Sequence, residues 1–424
     1  MFVLAGAAVI LILSITIALA VPAIVRALPG RYAYYLPEPL KAWRHNPHPI
    51  TLPTPQTNPT PTPEPSRTST STATSTSTPV PSLTPTPPPA PTDTPTATAT
   101  PSLPTSAMLG GVRHEHQGWN NCGPTTLSMA LSYWGYSQTQ NDIAPIVKPD
   151  PEDKNVSPND LTTYAESLGL ETITRVDGDL HLLKRLLAND FPVIVETWYV
   201  RDAEDQLGHY RLLVGYDDEA QHFITYDSLH GPDVLIGYQE LDELWRVFNR
   251  IYLVLYPQGR AGDLGAILGP DRNEEYAIQQ ALETARVEVN QQPETVAYAD
   301  PADWQTFAWF NAGSSLTALG RYDEATGAFD QARARDLHHR MLWYQFAPYR
   351  AYYEVGRYED VISLATFTLN TASNLEESYY WRAKARAAQG DVEGARSDLE
   401  QALRYHEGWQ PALTALEELE NSTP

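Results

Sequence analysis

Gln117-Gly118-Trp119-Asn120-Asn121-Cys122-Gly123-Pro124-Thr125-Thr126-Leu127-Ser128-Met129-Ala130-Leu131-Ser132-Tyr133-Trp134-Gly135 contains the only cysteine of this 424-residue chain. Gly123 and Pro124 suit a turn that enters a helix, because proline fits the first helical turn, where its missing N–H leaves no bond unmade. Leu127, Ala130, Leu131 and Trp134 follow at three- and four-residue spacing and predict an apolar helix face, with Gly135 as the C-terminal stop. Cys122 then stands at a helix N-terminus, where unpaired N–H groups and the positive end of the macrodipole favour an anion. A thiol in such a place can fall from about 8.5 to roughly 3.5–7.5 and become mostly thiolate at neutral pH. A lone cysteine is more often a small buried apolar residue, so the reading depends on what accompanies it.

The net charge of −23 has no offsetting basic cluster, which argues against nucleic-acid binding through phosphate neutralisation. One cysteine permits no intrachain disulfide and supplies too few soft ligands for a structural zinc site. His114, Glu115 and His116 alternate beside a flexible stretch and read as solvent-facing rather than as metal ligands. No residue pattern asks for a cofactor.

Outward from this stretch, composition divides the chain. Residues 1–26 lack charge up to Arg26 and read as a transmembrane anchor, or as a signal if Ala18-Leu19-Ala20 is a cleavage site. Residues 27–50 form a juxtamembrane segment whose Arg31, Lys41 and Arg44 would favour a cytoplasmic C-terminal side. Residues 51–107, rich in Pro, Thr and Ser, predict a disordered stalk reaching about 170 Å if fully extended. Such stalks hold domains off a cell surface, which favours an extracytoplasmic position.

Residues 108–257 predict one α+β domain, helices before strands. Ser157-Pro158-Asn159-Asp160 caps one helix and Leu180–Leu187 is another. Residues 193–200, 210–216, 222–226 and 251–256 are β-branched and aromatic runs of strand length. A hairpin centred near Asp218 pairs residues whose numbers sum to about 436, placing His209 opposite Asp227. Trp119 and Trp198 are either cleft-lining residues or, as is commoner for aromatic residues in such positions, plain core or rim. Residues 258–270, glycine-rich, read as a linker, and 271–421 as an all-α region. There Gly320, Gly356 and Gly390 recur 36 and 34 residues apart within a common pattern of small and bulky positions.

Gln117-x4-Cys122-Gly123-Pro124-Thr125-Thr126, then Gly208-His209-Tyr210 opening a hydrophobic strand, then Tyr226-Asp227, resembles papain-like cysteine peptidase family 39 and its stand-alone relatives. The resemblance implies Cys122 as nucleophile, His209 as its base, Asp227 as the residue orienting that base and Gln117 as oxyanion donor. It also implies a peptide or protein substrate. Ser228 stands where the family commonly has proline. The C-terminal pattern is similar to the tetratricopeptide repeat, which implies a protein partner on its concave face. Two other readings use the same residues: a catalytically silent peptide-binding or docking protein, and an acyltransferase.

Overall fold

Two helix starts in the front half of the chain carry side-chain caps at Ser157 and Asp179. The computed structural model describes residues 51–56, 103–200, 206–291 and 301–422, with isolated positions 21, 24, 25 and 40 before them. In chain order the front elements are β1 (Ser106–Met108), α1 (Cys122–Tyr133), α2 (Gln140–Val147), α3 (Pro158–Ser167), β2 (Glu171–Arg175), α4 (Leu180–Leu187), β3 (Val193–Val200), β4 (Gln206–Asp217), β5 (His222–Asp227), β6 (Gly231–Gly237), α5 (Tyr238–Trp245) and β7 (Tyr252–Tyr256). Ser157 caps α3 by accepting from the Asp160 N–H, and Asp179 caps α4 through the Leu182 N–H. Gly135, at φ +85°, takes the left-handed conformation that ends α1.

The strands form one antiparallel sheet in the order β2-β7-β3-β4-β5-β6, with β1 added to the far end of β4. α1 lies against it and is buried from Gly123 to Leu131, including Thr125, Thr126 and Ser128. It is therefore a central helix rather than one with a single apolar face. The β4–β5 hairpin forms with a shifted register. Its partners Leu212↔Tyr226 and Leu213↔Thr225 sum to 438, and a bulge between Leu213 and Gly215 shifts the later pairs. That is two more than the expected sum, so the facing of side chains survives while the direct partner changes.

The back half comprises α6 (Ala261–Leu268), α7 (Glu274–Val289), α8 (Pro301–Ala318), α9 (Tyr322–Arg333), α10 (Ala347–Glu354), α11 (Tyr358–Thr371), α12 (Glu376–Ala388), α13 (Val392–Tyr405) and α14 (Gln410–Ser422). Gly320, Gly356 and Gly390, at φ +71° to +85°, turn the chain inside the hairpins α8–α9, α10–α11 and α12–α13. The stretch expected to be a linker instead forms α6. Its glycines are outweighed by Leu264, Ile267 and Leu268, which are buried on one side of the helix. One hydrophobic core runs from α1 through the helices to α12, while the last hairpin and α14 have their own. At the junction the buried Arg246 pairs with Glu288 at 3.0 Å and lies 3.5 Å over the Trp304 ring.

The expected membrane segment lies almost wholly outside the described residues, and among those described no helix is long and apolar enough to cross a membrane. Most of the expected stalk is also outside them, but both margins are described and both are docked. Arg333 donates through Nε and Nη2 to the Pro53 carbonyl, at 3.2 and 2.6 Å, and Asp360 accepts from the Gln56 N–H at 3.2 Å. At the other margin the Tyr216 hydroxyl donates to the Pro104 carbonyl and β1 begins at Ser106. A buried arginine and a buried aspartate that bond to backbone hold residues 51–56 whatever their side-chain composition.

Candidate active site

Cys122 opens α1. Its approach loop is tied by Gln140, whose Oε1 accepts from the Gly118 N–H (2.7 Å) and from Asn121 Nδ2 (3.1 Å). A side chain at Gly123 would meet Val156 at 3.3 Å and the Tyr210 ring at 3.4 Å, so glycine lets the head of the helix sit close to β4. β5 pairs with β4 only from Leu212 onward, which leaves the Gln206–Arg211 edge of β4 facing the helix. There the Thr126 hydroxyl donates to the Tyr210 carbonyl at 3.2 Å.

His209 is buried in β4. Its Nε2 lies 3.0 Å from Asp227 Oδ1, so Nδ1 is the nitrogen left for Cys122. Asp227 is fully buried at the end of β5. Besides His209 it takes Arg211 Nε at 3.0 Å and the N–H groups of Leu229 and His230 at 2.8 and 3.1 Å. Arg211 continues to Thr197 Oγ1 at 2.7 Å. The His209–Asp227 contact expected from the hairpin is therefore present. In the observed register, however, it is diagonal, and continuing that register places Arg211 across from Asp227.

Charges follow from these contacts. Burial opposes ionisation of the Cys122 thiol, but hydrogen bonding to His209, its charge, and the N–H groups of Tyr210 and Gly123 outweigh it and lower the thiol. Burial likewise opposes a charge on His209, and the Asp227 carboxylate, with Cys122, reverses this and raises the imidazole. Asp227 itself is pulled far below the usual carboxylate range, against its burial, by His209, Arg211 and the Leu229 N–H. A thiolate facing an imidazolium is the arrangement these shifts favour.

Gln117 is placed by the residue after Asp227. The Gln117 N–H donates to the Ser228 carbonyl (2.8 Å), and the Ser228 hydroxyl donates to Gln117 Oε1 (2.7 Å). That leaves the amide nitrogen to donate elsewhere. Ser228, noted in the sequence as a departure, is thus the partner that orients Gln117. Arg211 and the Tyr210 N–H were not singled out from sequence; an arginine inside a strand pattern and a backbone amide leave no local signal. His114 Nε2 lies 3.0 Å from the Asp227 carbonyl oxygen and packs against His116 behind the site. Trp119 Nε1 donates to Glu152 at 3.2 Å. Trp198 does not line an open cleft: it is buried among Phe248, Phe307, His338 and Tyr344 where the front domain meets the helices.

A cysteine at the head of a buried helix, an imidazole on the facing strand and a carboxylate behind it, in an α+β domain, define the papain-like class of thiol-peptidase fold. Residues 110–258 match the model of the Peptidase_C39 like family, and the front domain is a member of that family. Among solved structures the chain is similar to a putative C39-like peptidase from Bacillus anthracis, at 15% identity, 36% of this chain, 98% of that one and a TM-score of 0.31. It is also similar to the peptidase domain of Streptococcus ComA, a bi-functional ABC transporter involved in quorum sensing, at 18% identity, 35% and 99% coverage and a TM-score of 0.29. A third is the second TPR domain of human RPAP3 in complex with an HSP70 peptide, at 21% identity, 28% and 98% coverage and a TM-score of 0.26. No curated protein matches the chain.

Proposed function

We propose that this chain is a cysteine peptidase in which Cys122, His209, Asp227 and Gln117 carry the reaction. The observation that carries the reading is that the only thiol of the chain opens α1 beside a buried imidazole whose Nε2 lies 3.0 Å from a buried carboxylate, an arrangement that lowers the thiol and raises the imidazole. The Cys122 thiolate attacks the substrate carbonyl carbon, and the carbonyl π pair moves onto oxygen. The Cys122 and Gln117 N–H groups would receive that oxyanion. His209 then gives its proton to the departing amine as the C–N bond breaks, leaving a thioester. Water, deprotonated by His209, attacks the thioester, and the acid leaves with the thiolate restored. Asp227 holds the imidazole in the tautomer this needs. An amine in place of water would give acyl transfer on the same residues.

The remaining parts of the proposal are membrane tethering through residues 1–26, with the domain outside the cytoplasm, and tetratricopeptide-like hairpins that hold a protein partner. Support for these is the uncharged start of the sequence and the helical pairs turned by Gly320, Gly356 and Gly390. The test of the chemistry is incubation of the full chain and of Cys122→Ala with a diverse peptide mixture, with new termini read by mass spectrometry. Cleavage by wild type alone is expected. Equal product sets from both proteins would overturn the peptidase reading. Alkaline extraction of membranes tests the anchor: chain released with the peripheral proteins would refute it.

A further inference from the structure

The helical region also reaches the mouth of the site. After α9 the chain makes a short 3-10 turn, His339–Trp343, and Tyr344 follows it. The Tyr344 ring packs on Gly208, the residue before His209: a Cβ on Gly208 would sit 3.2 Å from both Cδ1 and Cε1 of that ring and 3.1 Å from Phe248 Cζ. Phe248 and Trp198 flank it, with ring centroids 6.0 and 6.4 Å away. The turn is held from both sides of Cys122. On the β4 side Arg340 Nη1 donates to the Gln206 carbonyl at 2.9 Å. On the side of the loop before α3, Lys154 Nζ sits 5.5 Å over the Trp343 ring.

Along a strand, alternate residues turn their amides to the same side, so the Gly208 and Tyr210 N–H groups face the same edge about 7 Å apart. The Tyr210 N–H meets the Cys122 sulfur, and the Gly208 N–H faces the Tyr344 oxygen. Chiefly burial, and then the nearby charge of Cys122, keep that phenol un-ionised. An open strand edge is where an extended peptide pairs by its backbone, at about 3.3 Å per residue. Here the edge is closed by an aromatic ring about two residues from the sulfur.

We propose that Tyr344 ends the substrate cleft on the Gly208 side of Cys122, so that the preferred substrates are peptides presenting a chain end there, with about two residues beyond the attacked bond. This rests on the peptidase reading and deepens it: the module behind the domain selects substrate length. It does so as a wall, the ring packing on Gly208 while its hydroxyl meets the Gly208 N–H.

The test is a peptide series extended one residue at a time on each side of the cleaved bond, with wild type, Tyr344→Ala and Tyr344→Phe. For wild type, kcat/KM falls tenfold or more once one side exceeds about two residues. Tyr344→Ala abolishes that fall, and Tyr344→Phe keeps it. The same length profile in wild type and Tyr344→Ala, with both folded by circular dichroism, would overturn the proposal. Alkylation of Cys122 by iodoacetyl peptides of increasing length, relative to iodoacetamide, reads the wall without turnover and should lose its length dependence only in Tyr344→Ala. A peptidase failure is recognised separately, as iodoacetamide rates in wild type and His209→Ala that match a free thiol.

Discussion

Replacing His209 by alanine removes both the hydrogen-bond partner of Cys122 and the charge that offsets its burial. What remains at the sulfur is burial, which raises the thiol, and the N–H groups of Tyr210 and Gly123. The variant thiol should titrate higher than in wild type, toward the free value of about 8.5, which would leave about 1% thiolate at pH 6.5. In wild type, each unit by which the thiol is lowered gains up to about tenfold in thiolate at acid pH. It also loses about threefold in intrinsic nucleophilicity, because the Brønsted slope is about 0.4–0.5. Wild type is thus alkylated faster below neutrality, by about threefold per unit. Above about pH 10, where both thiols are ionised, it is slower by a similar factor. The assay is the second-order iodoacetamide rate from pH 5 to 10.5, taken as the wild-type to variant ratio so that altered access cancels. A ratio that does not change with pH would show that the imidazole does not set the charge on sulfur, and would refute the reasoning.

Gln117→Ala should lower kcat by about 10²–10³ with little change in KM, the loss expected for one oxyanion donor. Ser228→Ala should give a smaller loss of the same kind and Ser228→Thr should restore it, because the hydroxyl acts only by orienting Gln117. Asp227→Ala leaves Arg211 buried without its counter-charge and two N–H groups without an acceptor. Urea unfolding should show a loss of about 3–5 kcal/mol, the cost of breaking a buried pair from one side. Glu377 is pushed well above the ordinary carboxylate range by burial and by the charges of Glu376 and Asp153, and its Oε2 is buried without a partner. The folded chain therefore keeps a proton that the unfolded chain releases above about pH 4.3. The stability this proton contributes is complete below that pH and declines as pH rises toward the folded value. Thermal melts of Glu377→Gln should match wild type near pH 4 and exceed it at pH 8.

The helices and the three-residue network were legible because their signals are local or paired. Cys122 before Gly123-Pro124, Ser157 before Asp160, and the turn glycines at Gly320, Gly356 and Gly390 each announce a backbone requirement met within a few residues. The hairpin reading brought His209 to Asp227 but missed the register. The hairpin turns later than expected, with pairs summing to 439, and the bulge after Leu213 brings the inner pairs to 438; a displacement of two from the expected 436 preserves which face each side chain takes. β2 and β6 were missed as half-exposed strands whose alternation is weak. α6 was missed because its glycines were weighed above the buried Leu264, Ile267 and Leu268. Tyr344 could not have been found from any window of sequence. Its place beside Gly208 is created by the packing of a turn far along the chain.

The fastening of residues 51–56 changes where load would enter the molecule. The chain leaves one body after Gln56 and rejoins the same body at Pro104. Force applied from the amino-terminal side therefore arrives first at Arg333 and Asp360, on α9 and α11, and is borne by helical hairpins. The sheet that carries His209 is spared that strain for as long as the Pro53 carbonyl stays bound.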